Sequence, residues 1–238
     1  AGNIYSFGDN DSLRSVTPVD LTGLSFDFTL MPNGRMIRGK SPLLQEMNGR
    51  LVAALDTNAV VRKSILLSDG RAAFALADGL AFYDTNVGWQ RVDTAVYKSR
   101  TPSLYEDPSG KLWLGSNDGL FLFENNVATP ITEVNSLIKA SISDLLQWGD
   151  YLLVATRGKG IVFYKAGATF IANEEQGLLS NTIECMAIDG NNRIWVGTSK
   201  GMQCINALGN DPKQWTYFQV NYQKGLPTTE VFDLLYDD

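Results

Sequence analysis

Residues 183–201 read Ile183-Glu184-Cys185-Met186-Ala187-Ile188-Asp189-Gly190-Asn191-Asn192-Arg193-Ile194-Trp195-Val196-Gly197-Thr198-Ser199-Lys200-Gly201. An apolar run is followed by a tight Asp-Gly-Asn turn, a short run centred on tryptophan, a second turn, and a third run opening at glycine. Residues 103–121 repeat the pattern, with Asp107-Pro108-Ser109-Gly110, then Leu112-Trp113-Leu114-Gly115-Ser116, then Gly119-Leu120-Phe121. Turn residues this closely spaced leave no room for a helix of ten or more residues. The opening glycines Gly79, Gly119, Gly160 and Gly201 stand 40, 41 and 41 residues apart, the spacing of one supersecondary unit copied along the chain. A fourth run closes each copy, as in Trp89-Gln90-Arg91-Val92, Ala168-Thr169-Phe170-Ile171 and Trp215-Thr216-Tyr217-Phe218. Four short antiparallel strands in about forty residues describe a β-propeller blade.

The expectation is therefore an all-β chain, a propeller of about five full blades with partial blades at both ends. The register places the blades at 24–60, 61–100, 101–139, 140–180 and 181–225, with partial blades at 1–23 and 226–238. First strands are expected near 61–68, 102–107, 141–147, 182–188 and 229–236. Two copies are degenerate, with Ala73 and Leu153 where tryptophan is expected, and residues 26–37 look like an eroded pair of first and second strands. Residues 1–7 already read as a strand, so the chain is expected to be part of a longer protein.

Composition narrows the chemistry. Of 238 residues 44% are apolar and 19% charged, which suits an ordered protein with ample core material. The net charge of −6 and the scattered cations argue against nucleic acid. No apolar run approaches the roughly 18 residues of a membrane span. Histidine is absent, which removes Ser-His-Asp and Cys-His catalysis and His-ligated zinc. Cys185 and Cys204 fall on the first and third strands of one copy, roughly 9.5 Å apart. A disulfide needs about 4.4–6.8 Å between Cα atoms, so both are expected to be free and buried.

Repeat position decides most candidate sites. Trp113 and Trp195 are expected to pack between blades, and Asp107 and Asp189 to cap their own turns. Asp9-Asn10-Asp11 and Asp189-Gly190-Asn191-Asn192 lack the third ligand of a calcium loop, and Arg157-Gly158-Lys159-Gly160 lacks the strand–loop–helix setting of a phosphate cradle. No metal and no cofactor are expected. What varies is the segment leading into each first strand: Arg100-Thr101-Pro102-Ser103, Lys139-Ala140-Ser141, Ser180-Asn181-Thr182-Ile183-Glu184 and Pro227-Thr228-Thr229-Glu230, with Arg62-Lys63-Ser64 a weaker fifth. Innermost strands line a propeller's channel, so Arg100, Lys139, Ser141, Asn181, Glu184, Thr229 and Glu230 are the candidate binding residues, suited to a polar, anionic ligand. An ordinary solvated mouth is the alternative. Glu184 and Glu230 are the one carboxylate pair worth testing for glycoside hydrolysis.

Gly177-Leu178-Leu179-Ser180-Asn181-Thr182-Ile183 running into Ile194-Trp195-Val196-Gly197-Thr198 resembles the two-component regulator propeller repeat. Gly225-Leu226-Pro227-Thr228-Thr229-Glu230-Val231 begins another copy, and Leu112-Trp113-Leu114-Gly115-Ser116 fits it. The likeness covers roughly the last 140 residues well and the first 60 poorly. It implies the extracytoplasmic, periplasmic sensor region of a hybrid histidine kinase of Bacteroidetes type. It further implies an oligosaccharide ligand and a kinase module elsewhere in the parent chain. A homodimer or docking scaffold is the competing reading, and a propeller lyase or glycosidase the third.

Overall fold

In the computed structural model the described residues are 2–7, 13–19, 28–33, 36–40, 43–46, 51–54, 60–93, 97–138, 140–207, 214–220, 224, 226 and 230–236. The chain forms two compact units, residues 23–145 and residues 1–22 with 146–238. β1 (Gly2–Phe7) and β2 (Leu13–Val19) form an antiparallel hairpin. Three four-stranded sheets follow. They are β3 (Phe28–Leu30) to β6 (Leu51–Ala54) through β4 (Met36–Lys40) and β5 (Leu43–Glu46); β7 (Val61–Leu66), β8 (Ala72–Leu76), β9 (Gly79–Asp84) and β10 (Gly88–Arg91); and β11 (Ser103–Glu106), β12 (Leu112–Ser116), β13 (Gly119–Glu124) and β14 (Val127–Pro130). A short helix, α1 (Thr132–Leu137), precedes β15 (Ile142–Trp148), β16 (Tyr151–Thr156), β17 (Ile161–Tyr164) and β18 (Phe170–Ala172). The last sheet is β19 (Ile183–Ile188), β20 (Ile194–Thr198), β21 (Gly201–Asn206) and β22 (Thr216–Val220). Each sheet runs in sequence order, and every ladder with a described register is antiparallel. These are propeller blades, and the fold is an all-β propeller.

The tryptophan that marks the repeat belongs to a cross-strand pair. Trp113 lies opposite Leu122, and Trp195 opposite Cys204. In the two degenerate copies the aromatic has crossed the ladder: Ala73 lies opposite Phe82, and Leu153 opposite Phe163. Directly opposed residues share one face of the sheet, so each pair still supplies one large ring to that face. Arg71 lies over Phe82 at 4.8 Å as Arg193 lies over Trp195 at 5.4 Å, so even the covering guanidinium follows the ring. Phe163 of β17 and Phe170 of β18, with Trp148 at the end of β15 and Trp215 just before β22, form an aromatic cluster with contacting centroids 4.7–6.4 Å apart.

Successive blades are joined through the end of the second strand. The Thr101 N–H donates to the Leu76 carbonyl at 3.3 Å, and the Val231 N–H to the Thr198 carbonyl at 3.3 Å. Arg157, just past β16, forms an isolated bridge with Thr182. The second strands carry Ala75, Gly115, Ala155 or Gly197 one residue before their ends, which lets the neighbouring chain come close. A Cβ at Gly197 would stand 2.5 Å from Cys185 Sγ and 2.9 Å from the Val231 carbonyl oxygen; one at Gly115 would stand 2.5 Å from Ile142 Cγ2.

The first strands form where the register expects them in four copies. The fifth does not: residues 230–236 carry no strand, although Val231 makes the same interblade bond as Thr101. Among the described residues no strand pairs along this segment, and a strand needs its ladder. Sequence reading also gave no hint of two amide side chains that hold connections in place. Asn135 of α1 accepts from the Leu120 N–H at 2.7 Å and donates to its carbonyl at 3.1 Å, closing over Gly119, where a Cβ would run into the Asn135 amide and the φ of 120° is one that side-chain-bearing residues rarely adopt. Gln203, fully buried, accepts from Leu179 N–H and donates to the Gly177 carbonyl, each at 2.9 Å.

Cys185 and Cys204 are free and buried. Thiol titration is expected to find two reactive groups only after denaturation, with no reductant needed; an intramolecular bridge would overturn the register of β19–β21. Gly197→Ala is expected to cost about 1–3 kcal/mol in denaturant unfolding, because the added methyl meets backbone as well as side chain. An unchanged midpoint would show that the close approach at Val231 is not needed.

Candidate functional site

The turn carboxylates are filled by their own repeat. Asp189 Oδ1 accepts from the N–H groups of Asn191 and Arg193 at 3.0 and 2.9 Å; Oδ2 accepts from Arg193 Nε and Trp195 Nε1 at 2.7 and 2.8 Å. Asp107 takes Ser109 N–H, Ser109 Oγ, Lys111 N–H and Trp113 Nε1 at 2.6–3.1 Å. Burial works against each charge, but the hydrogen bonds outweigh it and hold both carboxyls below the usual range. Such groups are structural acceptors, not bases awaiting a proton. The tryptophans are half-buried rather than core residues, and their indole N–H completes the turn. In the β7–β8 turn Leu67 takes the aspartate's place, its N–H bonded to the Arg71 carbonyl at 2.8 Å as Asp107 is to Lys111 at 2.9 Å. Where the indole donor is lost at Ala73, its acceptor is lost too.

Trp195→Phe keeps a ring and removes that donor, so it is expected to cost about 1–2 kcal/mol, less than truncation of a fully buried ring. Because the folded-state pKa of Asp189 is depressed, its stabilisation is present above the unfolded value of about 4 and fades as pH falls through the folded value. Asp189→Asn is expected to flatten the acid side of a Tm-against-pH profile. An acid side as steep as in wild type would contradict this.

The lead-in residues resolve into rows. The Arg100 carbonyl accepts from Asn117 N–H at 3.0 Å, as Val60 does from Ala77 at 2.9 Å and Thr182 from Ser199 at 3.4 Å. Arg100 and Thr182 therefore share a repeat position, and the Val231 bond places Glu230 in it as well. Two residues further on is a β-bulge: Arg62 is the extra residue between the pairs Val61–Leu76 and Lys63–Ala75, and Glu184 the extra one between Ile183–Thr198 and Cys185–Gly197. Bulges re-aim a side chain.

In the unit 23–145, Arg100 is exposed, and Ser141 Oγ donates to Asn117 Oδ1 at 2.7 Å. Burial and the Arg100 charge lower the Arg62 pKa. In the other unit, Asn181 Oδ1 accepts from Glu174 N–H at 2.9 Å, and its carbonyl takes the N–H groups of Gly158 and Gly160, both at 2.9 Å. Glu184 pairs with Arg157 at 2.8 Å. Glu230 is exposed; Lys139 and Thr229 lie outside the described residues, as do Asp9-Asn10-Asp11. Asn117 and Arg157, just past the ends of β12 and β16, were missed as rim residues. Their position one residue beyond the second strand was a repeat signal available in the sequence.

A separate concavity of about 820 Å3 in the unit 23–145 is lined by Asp69, Arg71, Phe82, Arg91, Glu106 and Phe123 among others. Both of its arginines are matched by carboxylates, Arg71 by Asp69 and Arg91 by Asp78 at 2.7 Å each, while Glu106 accepts from Ser68 N–H and Oγ. Among the described residues no cluster of three His, Cys, Asp or Glu side chains could hold a metal ion, and no helix is long and apolar enough to cross a membrane.

The two-component regulator propeller family matches residues 98–118 and 177–200. No curated protein sequence matches the chain. The fold is similar to the extracellular domain of BT3049 from B. thetaiotaomicron, named for a hybrid two component system, at a TM-score of 0.69 and 21% identity over 89% of this chain and 30% of that one. It is similar to the extracellular domain of BT4673 of the same organism, named for a one component system, at 0.70 and 16% over 99% and 34%. Virginiamycin B lyase from Staphylococcus aureus matches at 0.68 and 12% over 90% and 74%. The chain thus spans about a third of the length of the two extracellular domains. Two segments of the chain match the two-component regulator propeller repeat, and the fold around them is a β-propeller.

Proposed function

We propose that residues 1–238 serve as the ligand-sensing propeller module of a two-component signalling protein, placed outside the cytoplasm, with any kinase elsewhere in the parent chain. The ligand is a carbohydrate-like polar molecule held by lead-in residues, Arg100 first among them. One observation carries this reading. Turn and packing positions recur from copy to copy, whereas the lead-in row changes from Val60 to Arg100, Thr182 and Glu230 on the same backbone scaffold. Variable polar groups on rigid strand starts suit recognition. Catalysis ranks below binding. A histidine-to-alanine variant of the staphylococcal lyase is catalytically inactive, and this chain has no histidine. Glu184, one of the two carboxylates considered for glycoside hydrolysis, is ion-paired with Arg157. A scaffold that docks a second copy through the same rim is the alternative.

A thermal-shift screen of oligosaccharides tests the reading, since a ligand that binds only the folded state raises Tm by mass action. Arg100→Ala is expected to remove the shift while moving the unliganded Tm little, as surface substitutions do. No shift from any saccharide, together with a stable dimer broken by Arg100→Ala, would replace the sensor reading with the scaffold.

A further inference from the structure

The concavity between the β7–β10 and β11–β14 blades has a counterpart in the other unit, between β16–β18 and the β19–β22 blade, and the chain fills the two differently. The counterpart is closed by rings. Phe163 stacks on Phe170 with centroids 4.7 Å apart, Trp215 lies 4.9 Å from Phe163, and Trp148 and Tyr151 approach it at 6.1 and 6.4 Å. Trp148 Nε1 donates across to the Asn192 carbonyl at 3.1 Å.

The ladders assign the same positions in the open copy. Phe82 stands opposite Ala73 as Phe163 does opposite Leu153, and Gln90 pairs with Phe82 as Phe170 pairs with Phe163. Asn126 comes just before β14, as Trp215 does before β22, with Glu124 and Asn206 ending the matching third strands. Leu67 is as far from Val61, the first residue of β7, as Trp148 is from Ile142 of β15. Gly110 holds the place of Asn192: its N–H donates to the Asp107 carbonyl as that of Asn192 does to Asp189, each at 2.8 Å. Leu67, Gln90, Gly110 and Asn126 all line the cavity. It is the same interblade space, with Leu67, Gln90 and Asn126 where the counterpart has Trp148, Phe170 and Trp215, and about 820 Å3 is left open. The turn explains why the chain does not refill it. Asn125 and Asn126, at φ of 51° and 61°, make the tight two-residue hairpin turn that asparagine favours, whereas the connection 207–215 gives Trp215 a longer reach.

We propose that this cavity binds an aromatic ammonium compound, a flat ring carrying a positively charged amine. The ring takes the space of the three missing aromatics, beside Phe82 and Phe123, whose centroids are 5.7 Å apart. An N–H on that ring finds at Gly110 the carbonyl position that Trp148 uses at Asn192. The charge follows from the wall. Arg71 is matched by Asp69 and Arg91 by Asp78, and among the described residues no ion pair reaches Glu106 or Glu124. The hydrogen bonds that Glu106 accepts from Ser68 come from neutral donors and leave its charge in place. Both carboxylates are particular to this copy. Glu106 pairs with Leu112 where Ile188 pairs with Ile194, and Glu124 stands where Asn206 does. A wall with this excess of negative charge favours a cation. The site is distinct from the lead-in residues, because Leu67, Glu106 and Gly110 lie at or beyond the ends of first strands and Arg100 precedes one.

Calorimetric titration and thermal shift of the 238-residue chain with tryptamine, indole and indole-3-acetate test the site. Tryptamine is expected to bind and raise Tm by mass action, indole to bind about tenfold more weakly, and indole-3-acetate not to bind measurably. Gln90→Phe, which returns the ring that the counterpart has in Phe170, is expected to abolish the tryptamine shift without lowering the unliganded Tm. Glu124→Gln, at an exposed side chain, is expected to remove most of the advantage of tryptamine over indole. Arg100→Ala is expected to leave tryptamine binding unchanged. Absence of tryptamine binding, equal binding of tryptamine and indole-3-acetate, or undiminished binding in Gln90→Phe would overturn the proposal. Loss of tryptamine binding in Arg100→Ala would also overturn it, by moving the amine to the lead-in residues. Should Gln90→Phe lower the unliganded Tm, Glu124→Gln carries the comparison.

Discussion

The structure depends on how one blade meets the next: a backbone N–H at the head of one blade's first strand reaches the carbonyl that ends the previous blade's second strand. Thr101 does this to Leu76, Val231 to Thr198, and Thr182 bridges to Arg157. The bond requires a small residue beside it, and Ala75, Gly115, Ala155 and Gly197 supply one each time. Four-stranded sheets bury only part of their apolar surface alone, so this junction closes an apolar cluster between one blade and the next. It also fixes the lead-in residues, which is why polar side chains there are held on a rigid frame.

With the junction set, the remaining repeat positions are free to exchange their contents as long as the face stays filled. The large ring sits on the second strand opposite Leu122 or Cys204, or on the third strand opposite Ala73 or Leu153. Moving the ring from indole to phenyl removes a donor, and the turn responds by replacing aspartate with Leu67. Packing and hydrogen bonding therefore change together, as a buried acceptor left without its donor would cost more than losing both.

The repeat, the strand order and the four complete first strands were legible in the sequence, because turn residues and a glycine every 40 or 41 positions mark them. The cross-ladder exchange was not, since it preserves the volume of a pair rather than the identity of a position; Ala73 alone looks like erosion. The candidate rim was legible only as a set of segments. Ladder register was needed to separate the row of Arg100 and Glu230 from the bulge row of Arg62 and Glu184, and to show Asn181 bound up with Glu174. Residues 229–236 were read as a strand from their apolar pattern, but among the described residues 230–236 have no ladder partner, and a pattern alone does not make a strand.

Native-state hydrogen exchange at the junction amides tests the account most directly. The Thr101 and Val231 N–H groups precede or lie outside the regular strands, so a loop would leave them exchanging quickly. If the junction carries the fold, both are expected to exchange as slowly as the second-strand amides of Leu114 and Val196, through the same cooperative opening. Exchange at loop rates, with β12 and β20 still protected, would show that the blades hold together without it.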